Sequence, residues 1–325
     1  MLDNNQPLVS VVTPVLNGER YLDECIQSVL AQHYQNWEYV ILNNCSTDRT
    51  PAIAESYAAK DKRIRIVNND TQLPIMENWN RALRHISPES KYCKVVHADD
   101  FLFPECLKRM VSLAEAYPTV GIVGSYGLWG NRVVSGGLPY SENFFPGKDI
   151  CRLTLLNKFY CFWSPSSLLI LSDLIRNRSC FYNEKYLHAD DEACYELLKE
   201  SDFAFVHQVL TFVRKHEESM TSTLAATYNK FILFNLDLYF RYGPVFLNPK
   251  EYRSHLRFKL FDYYRFLAHS LFQLRERDFW KYHYRTLKEI GCSLNVVQLA
   301  AVVFKEFICR PPAMLKLLFN ALTKR

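Results

Sequence analysis

The chain has 325 residues, 49% of them hydrophobic and 22% charged, which excludes a disordered protein and allows one large domain with an appendage, or two domains. Ten cysteines without a CxxC pair, behind a polar start, read as reduced thiols of a cytoplasmic protein, and no apolar stretch reaches the roughly 18 residues of a membrane span. The net charge of +5 is divided, because residues 225–325 hold 17 Lys/Arg against 7 Asp/Glu and leave the first 224 residues acidic.

Residues 9–14, Val-Ser-Val-Val-Thr-Pro, are a β-branched strand closed by proline, and Asn17-Gly18 turns the chain. Leu22, Ile26, Val29 and Leu30 then recur at helical spacing over residues 19–32. Strands at 37–42, 64–68 and 92–97 alternate with helices at 51–59 and 78–85, with a polar loop over 43–50. Residues 101–116 read as a further helix and 120–123 as a strand. This alternation predicts an α/β fold with a doubly wound, mostly parallel sheet flanked by helices. Residues 130–147, rich in Gly, Ser, Asn and Pro, read as a flap, followed by a helix at 192–200, a strand at 203–206 and an apolar run at 209–213. From about residue 227 aromatic-studded helices dominate, broken near 243–249 and at 291. The division expected is a catalytic domain over 1–224 and a helical C-terminal region over 225–325.

Two carboxylate pairs stand out. Asp99 and Asp100 follow an apolar strand directly, where an α/β sheet presents its chemistry. Adjacent carboxylates repel unless a cation or a proton holds them, so the pair reads either as a site for a hard divalent metal or as a solvated turn and helix cap. Asp190 and Asp191 stand at the start of a helix, where acidic residues suit the helix dipole. In the tail, residues 296–307 and 313–322 are apolar on one side with Lys305, Arg310, Lys316, Lys324 and Arg325 nearby. Such helices lie in a membrane interface, or pack on the catalytic domain or on a second subunit as in a homodimer. No helix-turn-helix, zinc-finger or RNA-binding signature accompanies the charge, so lipid is favoured over nucleic acid.

The order of motifs resembles the nucleotide-sugar glycosyltransferases of family 2, the inverting enzymes of GT-A fold, over roughly residues 8–222. The likeness rests on residues 9–18 (Val-Ser-Val-Val-Thr-Pro-Val-Leu-Asn-Gly), on residues 41–50 (Ile-Leu-Asn-Asn-Cys-Ser-Thr-Asp-Arg-Thr), on His97-Ala98-Asp99-Asp100 and on His188-Ala189-Asp190-Asp191. Arg214-Lys215-His216-Glu217-Glu218-Ser219-Met220-Thr221 is similar to a segment late in that family's catalytic domain.

The resemblance implies a nucleotide-sugar half over about 1–124 and an acceptor half over about 125–224. Thr13, Pro14, Asn17, Asn43, Asn44, Ser46 and Asp99 would bind the nucleotide-sugar. Asp100 and Asp99, with His216, would ligate Mn²⁺ or Mg²⁺, and Asp191 would be the catalytic base. Asp190, Trp163 and Arg214 would serve acceptor or phosphate. Asn43 replaces an aspartate that pairs with uracil in the family, and His97 replaces a leading aspartate. A UDP-sugar donor and a glycan or polyprenyl-linked acceptor follow, at the inner face of the cell membrane, in polysaccharide biosynthesis. A sugar nucleotidyltransferase would show a Gly-rich basic loop where Leu16-Asn17-Gly18-Glu19 stands, and a nucleotide- or glycan-binding relative without activity is the remaining alternative.

Overall fold

The computed structural model describes residues 6–160, 162–185, 189–216 and 230–323, and the chain divides into two compact units, Met1–Lys215 and His216–Arg325. The division falls ahead of residue 224, where the sequence reading put it.

In the first unit, β1 (Val9–Val15) is buried along its whole length, as a central parallel strand covered on both faces must be. Helix α1 (Leu22–Leu30) turns Leu22, Cys25, Ile26 and Val29 inward at i, i+3, i+4 and i+7. Strand β2 (Trp37–Asn43), α2 (Thr50–Ala58), β3 (Ile64–Asn68), α3 (Ile75–Leu83) and β4 (Tyr92–Val95) complete the first half. Strands β2 and β4 flank β1 in parallel, and β3 runs parallel beside β2. The polar ends of all four strands therefore face one edge of the sheet.

The second half holds β5 (Phe101–Leu102), α4 (Cys106–Ala116), β6 (Val120–Trp129), β7 (Arg132–Val134), β8 (Phe144–Phe145), α5 (Gly147–Leu155), β9 (Leu168–Leu171), α6 (Ser172–Arg176), α7 (Ala189–Leu197) and β10 (Asp202–Val213). The sheet order is β3-β2-β1-β4-β9-β6-β10-β5, with β7 on β6 and β8 on β10. Strand β9 is antiparallel to both β4 and β6, while β6 and β10 are parallel, so the sheet is mixed.

Three local expectations change. Residues 101–116 are not one helix: Phe101 and Leu102 pair with Phe212 and Thr211, and the helix begins at Cys106, after Pro104 has held Phe103 out of helical geometry. Residues 130–147 are not a bare flap, since Gly130 (φ +57°) turns a β6–β7 hairpin and Phe144–Phe145 pairs with β10. The helix read over 192–200 starts at Ala189, because Asp190, Asp191 and Glu192 in its first turn suit the positive end of the dipole.

Lys94, at the centre of β4, is 0% exposed, and its Nζ donates to Met110 Sδ at 3.5 Å. Burial pulls its pKa below the usual lysine value. A base depressed in the folded state lowers stability progressively as pH falls below the unfolded lysine pKa. Lys94→Met is therefore expected to raise Tm at pH 7, by about 2–4 °C for each kcal/mol recovered, with the gain narrowing as pH approaches that of free lysine. Thermal melts of both proteins at neutral and alkaline pH check this.

The second unit is helical: α8 (Lys230–Phe246), α9 (Pro249–Phe272), α10 (Arg277–Glu289), α11 (Val296–Cys309) and α12 (Pro311–Leu322). Helix α8 passes through Gly243 and Pro244 and stops at Phe246, so the break lies at Leu247-Asn248. There Asn248 and Glu251 form a capping box ahead of Pro249. Leu233, Leu236, Tyr263, Leu267, Phe279 and Leu287 form the core of this unit. No helix of the described residues is long and apolar enough to cross a membrane.

Candidate active site

The end of β4 turns tightly, with Asp100 N donating to His97 O at 3.0 Å. The turn gathers His97, Asp99 and Asp100 so that one ligand atom from each lies within 4.8 Å of the others. Asp100 is 2% exposed, yet both its oxygens accept hydrogen bonds. Ser166 Oγ donates to Oδ2 at 2.6 Å, and Arg214 N donates to Oδ1 at 3.0 Å. The β5–β10 pairing brings Arg214 there, 114 residues away in the chain. Burial, then the neighbouring Asp99 charge, push Asp100 up to about 8. His97 lies against the Trp79 ring with centroids 4.5 Å apart, and its buried Nε2 has no hydrogen-bond partner. Two acidic oxygens and an imidazole nitrogen, Nδ1 lying 3.7 Å from Asp100 Oδ2, are the donor set of a hard or borderline divalent cation, so these residues fit Mn²⁺ or Mg²⁺.

At the ends of β2 and β3 five asparagine side chains interlock. Asn43 Nδ2 donates to Asn68 Oδ1 at 2.9 Å, and Asn43 Oδ1 accepts from Ser46 N at 3.0 Å. Asn69 Nδ2 reaches Asn44 Oδ1 at 2.8 Å and Asn78 Oδ1 at 2.9 Å. Asn44 spends its remaining capacity on the Leu73 backbone. Asn69 Oδ1 is buried without a partner, an acceptor still to be filled.

Several residues expected to touch the nucleotide also hold the framework. Thr13 is 0% exposed, its hydroxyl bonded to Tyr39 Oη and Val96 O at 2.8 Å each, so it ties β1 to β2 and β4. Pro14 is buried beside it in β1. Asn17 (φ +51°) and Ser46 clasp two loops together: Asn17 N donates to Ser46 Oγ, and Thr47 N to Asn17 Oδ1, both at 2.9 Å. Gly18 completes the clasp, since a Cβ there would meet Val15 at 2.6 Å. The Arg214 guanidinium is held by the Glu24 carboxylate and lies 4.5 Å from the Tyr21 ring. His216 opens the second unit, and residues 217–221 of its motif lie outside the described residues.

Asp191, 3% exposed in the first turn of α7, accepts from Tyr160 Oη at 2.8 and 3.0 Å on its two oxygens. Burial, and then the charge of Asp190, raise its pKa well above the ordinary carboxylate range, while the Tyr160 hydrogen bond opposes the rise. Asp190 is itself pushed up to about 6 by burial. Trp163 packs edge-on against Tyr160 and Trp129 with centroids 6.2 and 5.5 Å apart. Position 188 lies outside the described residues. Tyr160, Asn69 and Trp79 were absent from the sequence reading, and Ser166 entered it only within the Ser164-Pro165-Ser166-Ser167 run beside Trp163, read as lying by the acceptor.

The family model described as Glycosyl transferase family 2 matches residues 10–172, half of the chain. The chain belongs to glycosyltransferase family 2. An uncharacterized glycosyltransferase of Haemophilus influenzae is 30% identical to this family 2 chain over 196 residues, 58% of each protein. The chain thus spans little more than half the length of that relative. TuaG of Bacillus subtilis, named for teichuronic acid biosynthesis, is 34% identical over 99 residues, 30% of this chain and 38% of that protein. Among solved structures, residues 1–349 of S. aureus TarS in complex with UDP-GlcNAc superpose with a TM-score of 0.66 at 18% identity, over 96% of this chain and 89% of that one. The mannosyltransferase PcManGT of Pyrobaculum calidifontis, in complex with GDP-Man and Mn²⁺, gives 0.54 at 16% identity, over 99% and 87%. The mixed sheet of this family 2 chain is accordingly of the GT-A kind.

Proposed function

We propose that the protein is an inverting glycosyltransferase, moving a sugar from a nucleoside diphosphate donor to a hydroxyl of a lipid-carried glycan during assembly of a cell-surface polysaccharide. The observation that carries the reading is one short segment serving two carboxylate centres. Tyr160 holds Asp191, and Ser166, six residues on, holds Asp100. A diphosphate anchor and a base built into one frame suit a transfer in which the leaving group and the incoming hydroxyl act on opposite faces of one carbon.

In this reading Asp100 and Asp99, with His97, would hold a divalent cation. The cation supplies positive charge against the departing diphosphate. Asp191 accepts the proton of the acceptor hydroxyl as its oxygen bonds to the anomeric carbon and the carbon–oxygen bond to the diphosphate breaks. A carboxyl lifted out of the usual range is a stronger base than a free aspartate. Trp163 and Trp129 offer ring faces to a sugar. The UDP-sugar assignment rests on Asn43, which stands where the family's aspartate pairs with uracil and whose amide can still hydrogen-bond a base. The TarS and PcManGT complexes hold UDP-GlcNAc and GDP-Man, which supports a nucleotide-sugar donor here, and TuaG's name supports the polysaccharide context.

The test is a panel of nucleotide-sugars with Mn²⁺, following nucleoside diphosphate release with and without a bacterial lipid extract. We expect release with one base class, accelerated by the extract. Donor binding without release under every condition would leave only a nucleotide-binding relative.

A further inference from the structure

Helix α11, Val-Val-Gln-Leu-Ala-Ala-Val-Val-Phe-Lys-Glu-Phe-Ile-Cys, is apolar on nearly every side, the pattern of a helix covered all round. Its own unit covers one face only, through Leu299, Val302 and Glu306 at i, i+3 and i+7. On the opposite face Val297 (79% exposed), Phe304 (68%) and Ile308 (59%) follow one another at helical spacing. Helix α12 repeats the arrangement. Met314 is its buried residue, while Leu315, Phe319 and Leu322 point outward at i, i+4 and i+7, Phe319 being 66% exposed. An apolar groove of about 500 Å³, lined by Leu271, Val296, Val303 and Phe307 among others, opens beside Phe304.

The charges beside these stripes have one sign. Between Val296 and Thr323 the charged residues are Lys305, Glu306, Arg310 and Lys316. Glu306 is buried and bonded to His269 Nε2 at 2.9 Å, which holds it below its usual pKa. Every exposed charge on the two helices is therefore positive, Lys305 flanking the Phe304 stripe and Lys316 the Phe319 stripe.

We propose that α11 and α12 form a docking face for an anionic lipid bilayer. Phe304, Ile308, Phe319 and Leu322 enter the acyl boundary, while Lys305, Arg310 and Lys316 stay with the lipid phosphates. With 14 and 12 residues the helices reach only about 18–21 Å, short of the roughly 30 Å hydrocarbon core, so they lie in the interface plane. The charge argues against a second copy as the occupant, because a twofold partner would bring like cations together with no exposed acid to offset them. Nucleic acid would not be matched by two outward phenylalanine-centred stripes. This face deepens the reading of a lipid-carried acceptor and is tested without donor or acceptor, so either idea can fail alone.

Co-sedimentation of the full chain with phosphatidylglycerol–phosphatidylcholine vesicles, against phosphatidylcholine alone, is the experiment. We expect binding roughly a hundredfold stronger to the anionic vesicles, as three juxtamembrane cations imply, and weakened by salt. Phe304→Asp with Phe319→Asp should abolish it. Lys305→Gln, Arg310→Gln and Lys316→Gln together should remove the preference for anionic lipid, and these exposed polar changes carry the test if the phenylalanine variant fails to fold. Absence of binding to anionic vesicles, or binding unchanged in the variants, overturns the proposal. So does a dimer, seen by light scattering, that the phenylalanine variant dissociates.

Discussion

Asp191→Asn should leave donor binding unchanged and lower the rate of sugar transfer by about 10²–10⁴-fold, the range that a positioned general base contributes. The carboxamide has nearly the same shape, and its oxygen can still accept from Tyr160, so the start of α7 should be preserved. Stability offers a control. Asp191 carries a raised pKa, caused by burial first and by Asp190 second. A carboxyl raised in the folded state costs stability as pH climbs from the ordinary carboxylate range through the folded value. The asparagine variant lacks that cost and should melt no lower than the parent at neutral pH. A slow variant with an unchanged melt and unchanged donor Kd identifies lost chemistry; equal transfer rates would remove Asp191 as the base. The same residue fixes the pH dependence. The base works ionised, so the rate should rise with pH along a limb lying above the ordinary carboxylate range. Tyr160→Phe removes a donor that favours the carboxylate, and the limb should move up by roughly one to two pH units, since a hydrogen bond to a charged group is worth about 1.5–3 kcal/mol and a unit is about 1.36. A merely structural tyrosine would change the amplitude of the profile and leave its midpoint in place.

The features legible in the sequence were those set by local pattern. The buried β-branched run at β1, the helical spacing of Leu22, Ile26 and Val29, and the acidic pairs after β4 and at α7 are all properties of short windows, and periodicity reports them. The missing half of the site is made by pairings that no window contains. Strand β5 is two residues long and exists because Phe101 stacks on Phe212 at 4.7 Å; that contact sets Arg214 N against Asp100. Tyr160 sits in an aromatic run that reads as core until its hydroxyl is seen on Asp191. Ser166 read as one of a serine run near the acceptor, yet its hydroxyl accepts from His97 N at 3.0 Å and donates to Asp100 Oδ2 at 2.6 Å. Conversely, Thr13 and Ser46 match their motifs and also bond within the framework, because a hydroxyl near a strand end serves the framework as readily as a ligand. Motif spacing therefore located the site, while the tertiary pairings sorted which polar atoms remain free to act.

Asp100→Asn should abolish cation-dependent nucleotide binding and leave a folded protein. Both Asp100 oxygens are already spoken for by Ser166 Oγ and Arg214 N, and a carboxamide can meet that pair by accepting from Arg214 and donating to the serine hydroxyl. What it cannot supply is the negative charge that a hard divalent ion requires. The parent, titrated with Mn²⁺ and a nucleoside diphosphate in a calorimeter, should bind the nucleotide tightly only when the ion is present. At a hundred times its Kd the bound ligand should stabilise the fold by about 2.7 kcal/mol, visible as a raised Tm. In Asp100→Asn that increment should vanish while the melt without metal stays close to the parent's. His97→Ala tests the third arm of the group. If the Nδ1 facing Asp100 is a ligand, the variant should weaken Mn²⁺ more than Mg²⁺, because an imidazole nitrogen suits the softer ion. Metal-dependent nucleotide binding that survives Asp100→Asn unchanged would move the diphosphate anchor away from the β4 turn altogether, and with it the assignment of the leaving-group side of the reaction.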